Sequence, residues 1–264
     1  MRQAVLTYCD PKPGTSISTL SWEYPAGYCV AEHAHGSGQL LFATHGVMEI
    51  ASGQSLWLIP PNFAIWIPAR TMHCIRMPNA VSMRTLYLRP TLTRQLPAAC
   101  TVLHVTPLLR ALIVHTVAIG ELRSRRSVDR AVCVVLLSQL EAASPVPTWI
   151  TLPRDPRALA VAQSLIRGLQ TGVRLQDLCA QAAISVRTVE RIFRAEMGLD
   201  FEAWRRQVRL MKGIELLAGG SSVKEAGFSV GYRQPSAFVA MFRKTMGSTP
   251  KSWLKSIKTY SPEV

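Results

Sequence analysis

The segment RLQDLCAQAAISVRTVERIFRAEMG, from Arg174 to Gly198, decides the fold of the second half of the chain. Its first part places apolar residues at helical spacing and ends in a short turn at Ala183 and Ile184. Ser185 follows as a good N-cap, because its hydroxyl can accept an unpaired backbone N–H of the next helix. The segment thus predicts a short helix, a tight turn and a second helix with arginines on its outer face. A protein that binds DNA sequence-specifically needs this arrangement.

The segment SVKEAGFSVGYRQPSAFVAMFRKTMG, from Ser222, repeats this pattern after a long helix predicted over about 201–217. A single copy could equally be a helical hairpin with a solvated charged face, but two copies strongly favour paired helix-turn-helix units. The residues expected to contact DNA lie on or beside the second helix of each copy. They are Ser185, Val186, Arg187, Thr188, Glu190, Arg191 and Arg194 in the first, and Arg233, Gln234, Pro235, Ser236, Arg243 and Lys244 in the second.

The run from Ser185 to Gly198, the segment WRRQVR at 204–209 and the positions from Ser222 to Pro250 resemble the AraC/XylS family of bacterial transcription regulators. The resemblance covers about residues 155–255. It implies two helix-turn-helix units joined by a long helix, with recognition helices at about 186–196 and 234–245 in successive major grooves.

The sequence departs from the family pattern at Gly213 and Gly227, where the family usually has Ala. Glycine inside a helix costs roughly 0.5–1 kcal/mol relative to alanine. We therefore expect the second unit to be less rigid than the first and to discriminate less strictly between DNA sequences.

The charge of the chain agrees with a polyanionic partner. The net charge is +14; the residues before Leu152 carry 12 Lys and Arg against 7 Asp and Glu (+5), and the rest carry 18 against 9 (+9). A basic surplus attracts nucleic acid or an acidic membrane surface. No apolar run reaches the roughly 20 residues of a membrane span, and the first residues lack the apolar region of a secretory signal. We expect a cytoplasmic, nucleoid-associated bacterial protein without membrane partners.

The first half of the chain has a different pattern. Residues 1–90 contain short apolar runs bounded by turn-forming residues, such as GQSLWLIPP and FAIWIPA, which predict strands. Residues 107–122 and 127–142 predict helices, and the second is apolar on more than one face. Four prolines in the thirteen residues from Ser144 then indicate a linker.

Histidines mark a candidate site among the predicted strands. The sequence reads G27-x5-H33-x-H35-x3-Q39-x6-G46 and later P68-x-R70-x2-H73. Two histidines at i and i+2 of a strand share a face, and neutral imidazoles with an oxygen donor can hold a first-row divalent metal. The candidate metal ligands are His33, His35, Gln39 and His73. Alternatively, the same groups form hydrogen bonds to a small effector.

These two patterns resemble the cupin motifs, with Gln39 where a Glu is usual and Arg70 where a Gly is usual. The resemblance covers about residues 20–90 and implies a small β-barrel that holds a ligand or metal. The stretch from Trp57 to His73 also resembles a subgroup of AraC/XylS regulators that is associated with small-molecule resistance and efflux genes. Trp57 and Trp66 are then either core aromatics or a stacking surface for a planar effector. The effector pocket is expected to comprise His33, His35, Gln39, Trp57, Trp66 and His73.

The sequence therefore predicts an α+β chain of two domains. Residues 1–143 form a cupin-like β-barrel with following helices, for sensing and dimerisation, 144–153 form a linker, and 154–257 form an all-α domain with two helix-turn-helix units. The helix 127–142 is either the dimer surface, through Val128, Val132, Val135, Leu136 and Leu140, or only a cover for the barrel.

The predicted function is that of a sequence-specific transcriptional regulator, not an enzyme, whose small-molecule effector repacks the helices 107–122 and 127–142. It would control a transport, efflux or catabolic operon, bind double-stranded DNA as a homodimer and contact RNA polymerase. The cofactor that these residues could hold is a divalent metal in the barrel. Two alternatives remain at this point: a metal-dependent cupin enzyme with an attached helical domain, and a polyanion-binding architectural protein without sequence preference.

Overall fold

The structure is a computed structural model that describes residues 10–61, 63–143, 149–169 and 173–259. The described residues divide into two compact units. The N-terminal unit comprises those before position 148 apart from Gln54–Leu56, and the C-terminal unit comprises those three residues and the chain from Trp149 onward. Within the described ranges, no helix has both the length and the apolar character needed to cross a membrane.

Strands are the main elements of the chain between Thr15 and Arg123. Their bounds are β1 (Thr15–Tyr24), β2 (Cys29–His33), β3 (Gly38–His45), β4 (Met48–Ser52), β5 (Ser55–Ile59), β6 (Phe63–Ile67), β7 (His73–Arg76), β8 (Val81–Leu88), β9 (Thr101–His104) and β10 (Glu121–Arg123). One sheet has the order β10-β1-β8-β3-β6-β9, and in the other β5, β4, β7 and β2 follow one another. The predicted cupin-like β-structure is present as two sheets, not as one closed barrel.

The register of β3 separates the two faces of the larger sheet. Gln39 pairs with Ile67 and Tyr87, whereas the next residue, Leu40, pairs with Trp66 and Leu86. Since successive side chains of a strand point to opposite faces, these two sets lie on opposite faces of the sheet. The face of Leu40 forms the main apolar core together with two helices.

The two helices that cover this face are α1 (Pro107–Ile119) and α2 (Ser127–Ala142). Gly120, with φ +88°, ends α1, so the predicted helix 107–122 was three residues too long, and its last two residues belong to β10. Leu136 and Leu140 of α2 are buried in the core. Burial of one such side chain stabilises the fold by about 1.5–3 kcal/mol, which explains why α2 packs against the sheet.

The C-terminal unit contains the remaining elements. Their bounds are β11 (Trp149–Thr151), α3 (Pro156–Arg167), α4 (Leu175–Gln181), α5 (Val186–Met197), α6 (Phe201–Ala218), α7 (Val223–Ser229), α8 (Pro235–Met246) and α9 (Pro250–Thr259). The strand β11 lies in the predicted linker, whose residues 144–148 are outside the described ranges. The carbonyl of Thr151 accepts a hydrogen bond from the indole of Trp204 at 2.9 Å, which ties this segment to α6.

Local signals explain where these helices begin. Asp155, Ser185, Asp200 and Ser222 each accept a backbone N–H from the first turn of the helix that follows. Ser222 and Glu225 form a complete capping box at the start of α7. Capping satisfies N–H groups that have no partner inside the helix and contributes about 1 kcal/mol per helix.

Two aromatic clusters contribute to the core of the helical unit. Phe193 of α5 contacts Phe201 and Trp204 at ring distances of 5.1 and 5.2 Å. Phe238 of α8 contacts Phe242 at 5.8 Å. Each helix-turn-helix unit therefore has an aromatic core of its own, and α6 contributes to the first through two of its first residues.

The glycines that depart from the family pattern make room for Phe238. A Cβ atom at Gly213 would lie 2.7 Å from Phe238 Cε2, and one at Gly227 would lie 3.2 Å from Phe238 Cβ. The Phe238 side chain fills the space that these glycines leave, so both have a packing role. That the second unit reads sequence less strictly than the first stays a prediction.

Candidate DNA-binding interface and effector site

The helix α5 presents the first candidate DNA-binding surface. It begins at the N-cap Ser185, whose Oγ accepts the backbone N–H of Thr188 at 3.1 Å, and ends at Gly198 in the left-handed conformation. Val189, Ile192 and Phe193 are buried. The opposite face is therefore the one available to a partner.

The outer face of α5 is cationic. Arg187, Arg191 and Arg194 are exposed, and Ser185 lies exposed at the start of the helix. Val186 and Thr188 are partly exposed. Ser185 and Thr188 share a hydroxyl contact of 2.8 Å within the cap.

One predicted contact of α5 takes part in the fold instead. The carboxylate of Glu190 is partly buried and accepts the backbone N–H of Phe201 at 3.4 Å. It thus lies at the start of α6, where a negative charge is favoured by the helix dipole. Its assignment as a base contact stays a prediction.

The helix α8 presents the second surface. Gln234 is its N-cap and Pro235 its first residue, where the missing N–H removes no hydrogen bond. Arg233, Gln234, Ser236, Arg243 and Lys244 are exposed, and Pro235 is partly exposed. The carboxamide of Gln234 makes no capping hydrogen bond, so it remains able to reach a base edge.

The structure adds small residues that the sequence analysis missed on this helix. Ala237 and Ala240 are exposed on α8 between the polar positions. Small apolar side chains in the major groove can contact the thymine methyl group. Their spacing of three from each other was readable in the sequence, but neither alanine was assigned to a face from it.

A cluster of imidazoles forms the candidate effector site in the N-terminal unit. His33 at the end of β2 pairs with His73 at the start of β7, and His35 lies in the following loop before β3. One ring nitrogen from each of the three lies within 4.8 Å of those of the other two. The ring centroids of His33 and His73 are 4.3 Å apart, and those of His35 and His73 are 5.3 Å apart.

Gln39 joins this cluster from the larger sheet. Its Oε1 lies 2.8 Å from His35 Nε2, and its Nε2 donates to the Tyr87 hydroxyl at 3.4 Å. The ring of Tyr87 also lies edge-on to His35 at 5.2 Å. Tyr87 was absent from the sequence-predicted site, because only the pairing of β8 with β3 brings it there.

Burial determines the charge of two of these histidines. Desolvation is the main cause that lowers the pKa of His73 to about 4; the hydrogen bond to the Thr71 carbonyl acts against it, and the neighbouring His33 and His35 act with it. Desolvation also lowers the pKa of His33. Both imidazoles are neutral at pH 7, so the site offers lone pairs and N–H donors but little positive charge.

Trp66 was wrongly predicted to line the effector pocket. It pairs with Leu40 and lies in the helix-covered core, whereas Gln39 points to the other face of the sheet. Its indole N–H donates to the Pro97 carbonyl at 2.9 Å. Trp57 is buried in β5, a strand of the smaller sheet, to which His33 and His73 also belong.

Arg70 occupies the position at which the cupin motif that the sequence resembles usually has Gly. Its φ of 62° lies in the left-handed region, which explains the usual glycine. The Arg70 N–H donates to the His35 carbonyl at 2.8 Å. The turn before β7 is thereby joined to the loop that carries His35.

Comparison with known families identifies the domains to which these residues belong. Residues 178–256 match the model of a helix-turn-helix domain, and residues 15–185, more than half of the chain, match the model of the AraC-like ligand binding domain. The chain belongs to the AraC family of transcriptional regulators. It is accordingly a DNA-binding, effector-responsive regulator and not an enzyme, and nothing in these matches supports the cupin-enzyme alternative.

Relatives from the AraC family show how far the similarity extends. The HTH-type transcriptional regulator NimR of Escherichia coli strain K12 is 27% identical over 231 residues, which are 88% of this chain and 84% of NimR. The transcriptional activator NphR of a Rhodococcus species is 38% identical over 84 residues, 31% of this chain and 25% of NphR. Among solved structures, fatty-acid-bound ToxT of Vibrio cholerae strain SCE256 shares 12% identity and covers 94% of this chain and 98% of its own, with a TM-score of 0.40.

Proposed function

We propose that this regulator reads DNA as a homodimer through α5 and α8 and binds its effector beside the histidine cluster. In this assignment residues 1–143 sense and dimerise, and residues 154–257 bind DNA. The main support for the proposal is that α5 has two different faces. Its apolar face is buried in the helical core, and Arg187, Arg191 and Arg194 are exposed on the other face.

The exposed side chains of the two helices have complementary chemistry for DNA. Arginine can bind guanine O6 and N7 with two hydrogen bonds, and glutamine can do the same with adenine N6 and N7. Arg187 lies in the first turn of α5 and Gln234 lies at the start of α8. In helix-turn-helix proteins, residues near the start of the recognition helix reach base edges.

Binding of the full chain to DNA from its own promoter region tests this part of the proposal. Fluorescence anisotropy should give an affinity at least about 10³-fold higher for promoter DNA than for random DNA of equal length at the same salt. Equal affinities would instead indicate an architectural polyanion-binding protein, whose binding depends on phosphate charge alone.

The effector site is proposed to comprise His33, His35, Gln39, Trp57 and His73, with Tyr87 as an addition. Two-residue spacing in β8 places Thr85 on the same face as Tyr87, and the buried Thr85 hydroxyl has no hydrogen-bond partner among the described residues. A buried hydroxyl without a partner is unfavourable by about 1–3 kcal/mol, so a polar ligand that reaches it would gain affinity.

The helix α2 is the proposed dimer surface. Val128 and Val135 are 66% and 43% exposed and, with the exposed Ala131 between them, form one stripe at spacings of three and four. Leu136 and Leu140, which the sequence analysis placed on the same surface, are buried in the unit itself, and Val132 is partly packed there. A second copy of the chain fits the stripe, since identical apolar stripes are self-complementary about a twofold axis.

Sedimentation velocity of charged variants tests the dimer. We expect the double variant V128E/V135E to be a folded monomer at concentrations where the wild type is a dimer. V114E places the same charge on an exposed apolar position of α1 and serves as the matched control. A dimer that survives V128E/V135E but dissociates in V114E would place the interface on α1.

The remaining parts of the proposal concern the cell. The regulator would act in the bacterial cytoplasm on the nucleoid, contact RNA polymerase and control a transport, efflux or catabolic operon. Support comes from the family assignment and the basic charge. The transcript levels of the neighbouring genes should differ severalfold between the wild-type strain and a deletion strain. Unchanged levels would contradict control of these genes.

A further inference from the structure

The three imidazoles of the N-terminal unit form a donor set suited to a metal ion. One ring nitrogen each of His33, His35 and His73 lies within 4.8 Å of the other two. Zinc and its neighbours bind imidazole nitrogen at about 2.0–2.1 Å. Nitrogens that surround one ion at this distance lie about 3–4 Å apart, so small side-chain shifts suffice for all three to bind a single ion.

Backbone hydrogen bonds orient the three rings alike. Each Nδ1 lies within hydrogen-bond distance of a carbonyl oxygen: Ala31 at 2.8 Å for His33, Ser37 at 2.7 Å for His35 and Thr71 at 2.9 Å for His73. A carbonyl only accepts, so each Nδ1 carries the proton and each Nε2 of the neutral ring carries a lone pair. Donation of the second ring N–H to a carbonyl is the arrangement that supports metal-bound histidines.

The Nε2 lone pairs of the two buried histidines, His35 and His73, have no hydrogen-bond donor among the described residues as the side chains are placed. His73 is fully buried, and its Nε2 has no hydrogen-bond partner among the described residues. His35 Nε2 faces Gln39 Oε1 at 2.8 Å. In neutral His35 both of these atoms are acceptors, and two acceptors at this distance repel each other. A cation bound by both atoms would remove the repulsion, as would rotation of the Gln39 carboxamide, since the two orientations differ only in the hydrogen positions.

We propose that His33, His35 and His73 bind one first-row divalent transition-metal ion through Nε2, with Gln39 Oε1 as a fourth donor. Imidazole ligands favour Zn²⁺, Ni²⁺, Co²⁺ and Cu²⁺ over Mg²⁺ and Ca²⁺, which prefer oxygen. The ion would join β2 and β7 of one sheet to β3 of the other. Because all four donors are neutral, they do not compensate the positive charge of the ion, and the site would attract an anionic oxygen of an effector.

The metal site shares residues with the proposed effector site, so it rests on that part of the proposed function. Its test therefore uses metal alone, without DNA or effector. The full chain is prepared without a His tag, stripped with a chelator and titrated with Zn²⁺ by calorimetry. Co²⁺ is used as a second probe, because its visible ligand-field spectrum reports coordination directly. The expected result is one ion per chain.

Three variants locate the bound ion. H33Q, at the partly exposed member of the cluster, should weaken Zn²⁺ binding more than the roughly 10–100-fold that loss of a supporting residue causes. H115Q removes an exposed histidine of α1 outside the cluster and should leave binding unchanged. Q39E should tighten binding, since a carboxylate is a stronger zinc ligand than an amide. Circular dichroism confirms that each variant is folded.

Two outcomes would overturn the metal site. One is a stoichiometry far below one ion per folded wild-type chain. The other is equal Zn²⁺ affinity in wild type, H33Q and Q39E, which would assign the ion to another place. Because sequence-specific DNA binding is measured separately on the same preparations, failure of the metal site leaves the DNA-binding proposal standing.

Discussion

Gly213 in α6 lies directly against the ring of Phe238 in α8: a Cβ atom at this glycine would be 2.7 Å from Phe238 Cε2 and 2.8 Å from Cζ. Gly227 of α7 borders the same side chain, with its added Cβ 3.2 Å from Phe238 Cβ. Phe238 is fully buried. The second helix-turn-helix unit thus has a buried phenylalanine that packs against two glycines.

We expect Gly213→Ala to destabilise the C-terminal unit. Alanine gains about 1 kcal/mol in helix propensity, but the overpacked core loses about 1–3 kcal/mol, so the net effect is a loss. Urea unfolding of the full chain, followed by circular dichroism, measures it. Because two units can unfold separately, the transition of the helical unit must be resolved.

The double variant G213A/F238L supplies the control for this prediction. Leucine is shorter than phenylalanine and leaves space for the added methyl group, so G213A should be less harmful in the F238L background. A coupling energy of about 0.5–3 kcal/mol is typical of residues in contact. Purely additive effects would show that the alanine acts elsewhere.

Arg187 and Arg191 should contribute to specific DNA binding more than basic residues beyond the second unit. Loss of a base-edge contact raises the free energy of specific binding by roughly 1–3 kcal/mol, whereas loss of a phosphate contact mainly changes the salt dependence. We expect R187A to weaken promoter binding about 5–150-fold and random-DNA binding much less. The matched control is K251A, at an exposed position of α9. Equal losses on both DNAs for R187A would mean that Arg187 contacts phosphate only.

Ser185 is expected to have two separable roles, as the cap of α5 and as a neighbour of DNA. Ser185→Ala should lower the free energy of unfolding by about 1 kcal/mol, because the Thr188 N–H loses its acceptor. Ser185→Asp should keep the cap and the stability but lower DNA affinity by about tenfold, or about 1.4 kcal/mol, since the added charge repels phosphate. Thermal unfolding and anisotropy distinguish the two, and undiminished DNA binding of S185D would place Ser185 away from the backbone of DNA.

Trp66 and Gly38 provide a test of which face of the sheet holds the effector. A Cβ atom at Gly38 would overlap the Trp66 ring, so G38A should destabilise the N-terminal unit. W66F removes the hydrogen bond to Pro97, at a cost of about 0.5–1.5 kcal/mol. Because Trp66 faces the helices, W66F should leave ligand and Zn²⁺ affinity unchanged in calorimetry. A W66F chain that is stable but has lost ligand binding would contradict the assigned face.

Local signals in the sequence determine the structure at the ends of the helices. Ser185 and Gly198 mark the ends of α5 through capping chemistry, and the outer arginines follow from helical periodicity. Tyr87 and Trp66 show where such reasoning stops, because strand pairing far along the chain decides which residue faces the histidines. Gly213 shows the same limit in the helical unit: its local cost was readable, but Phe238, 25 residues later, determines its role.

The N-cap Asp155 should make the stability of α3 sensitive to acid. Hydrogen bonds from the Arg157 guanidinium, assisted by the backbone N–H groups of Arg157 and Ala158, lower the pKa of Asp155 from 3.8 to about 2. Since the folded pKa is below the unfolded one, the stabilisation is complete above pH 3.8 and is lost as the pH falls toward 2. We expect D155N, which keeps an N-cap oxygen but no charge, to melt below the wild type at pH 6 and together with it near pH 2. A difference in melting temperature that persists unchanged at pH 2 would show that the charge of Asp155 is not the cause.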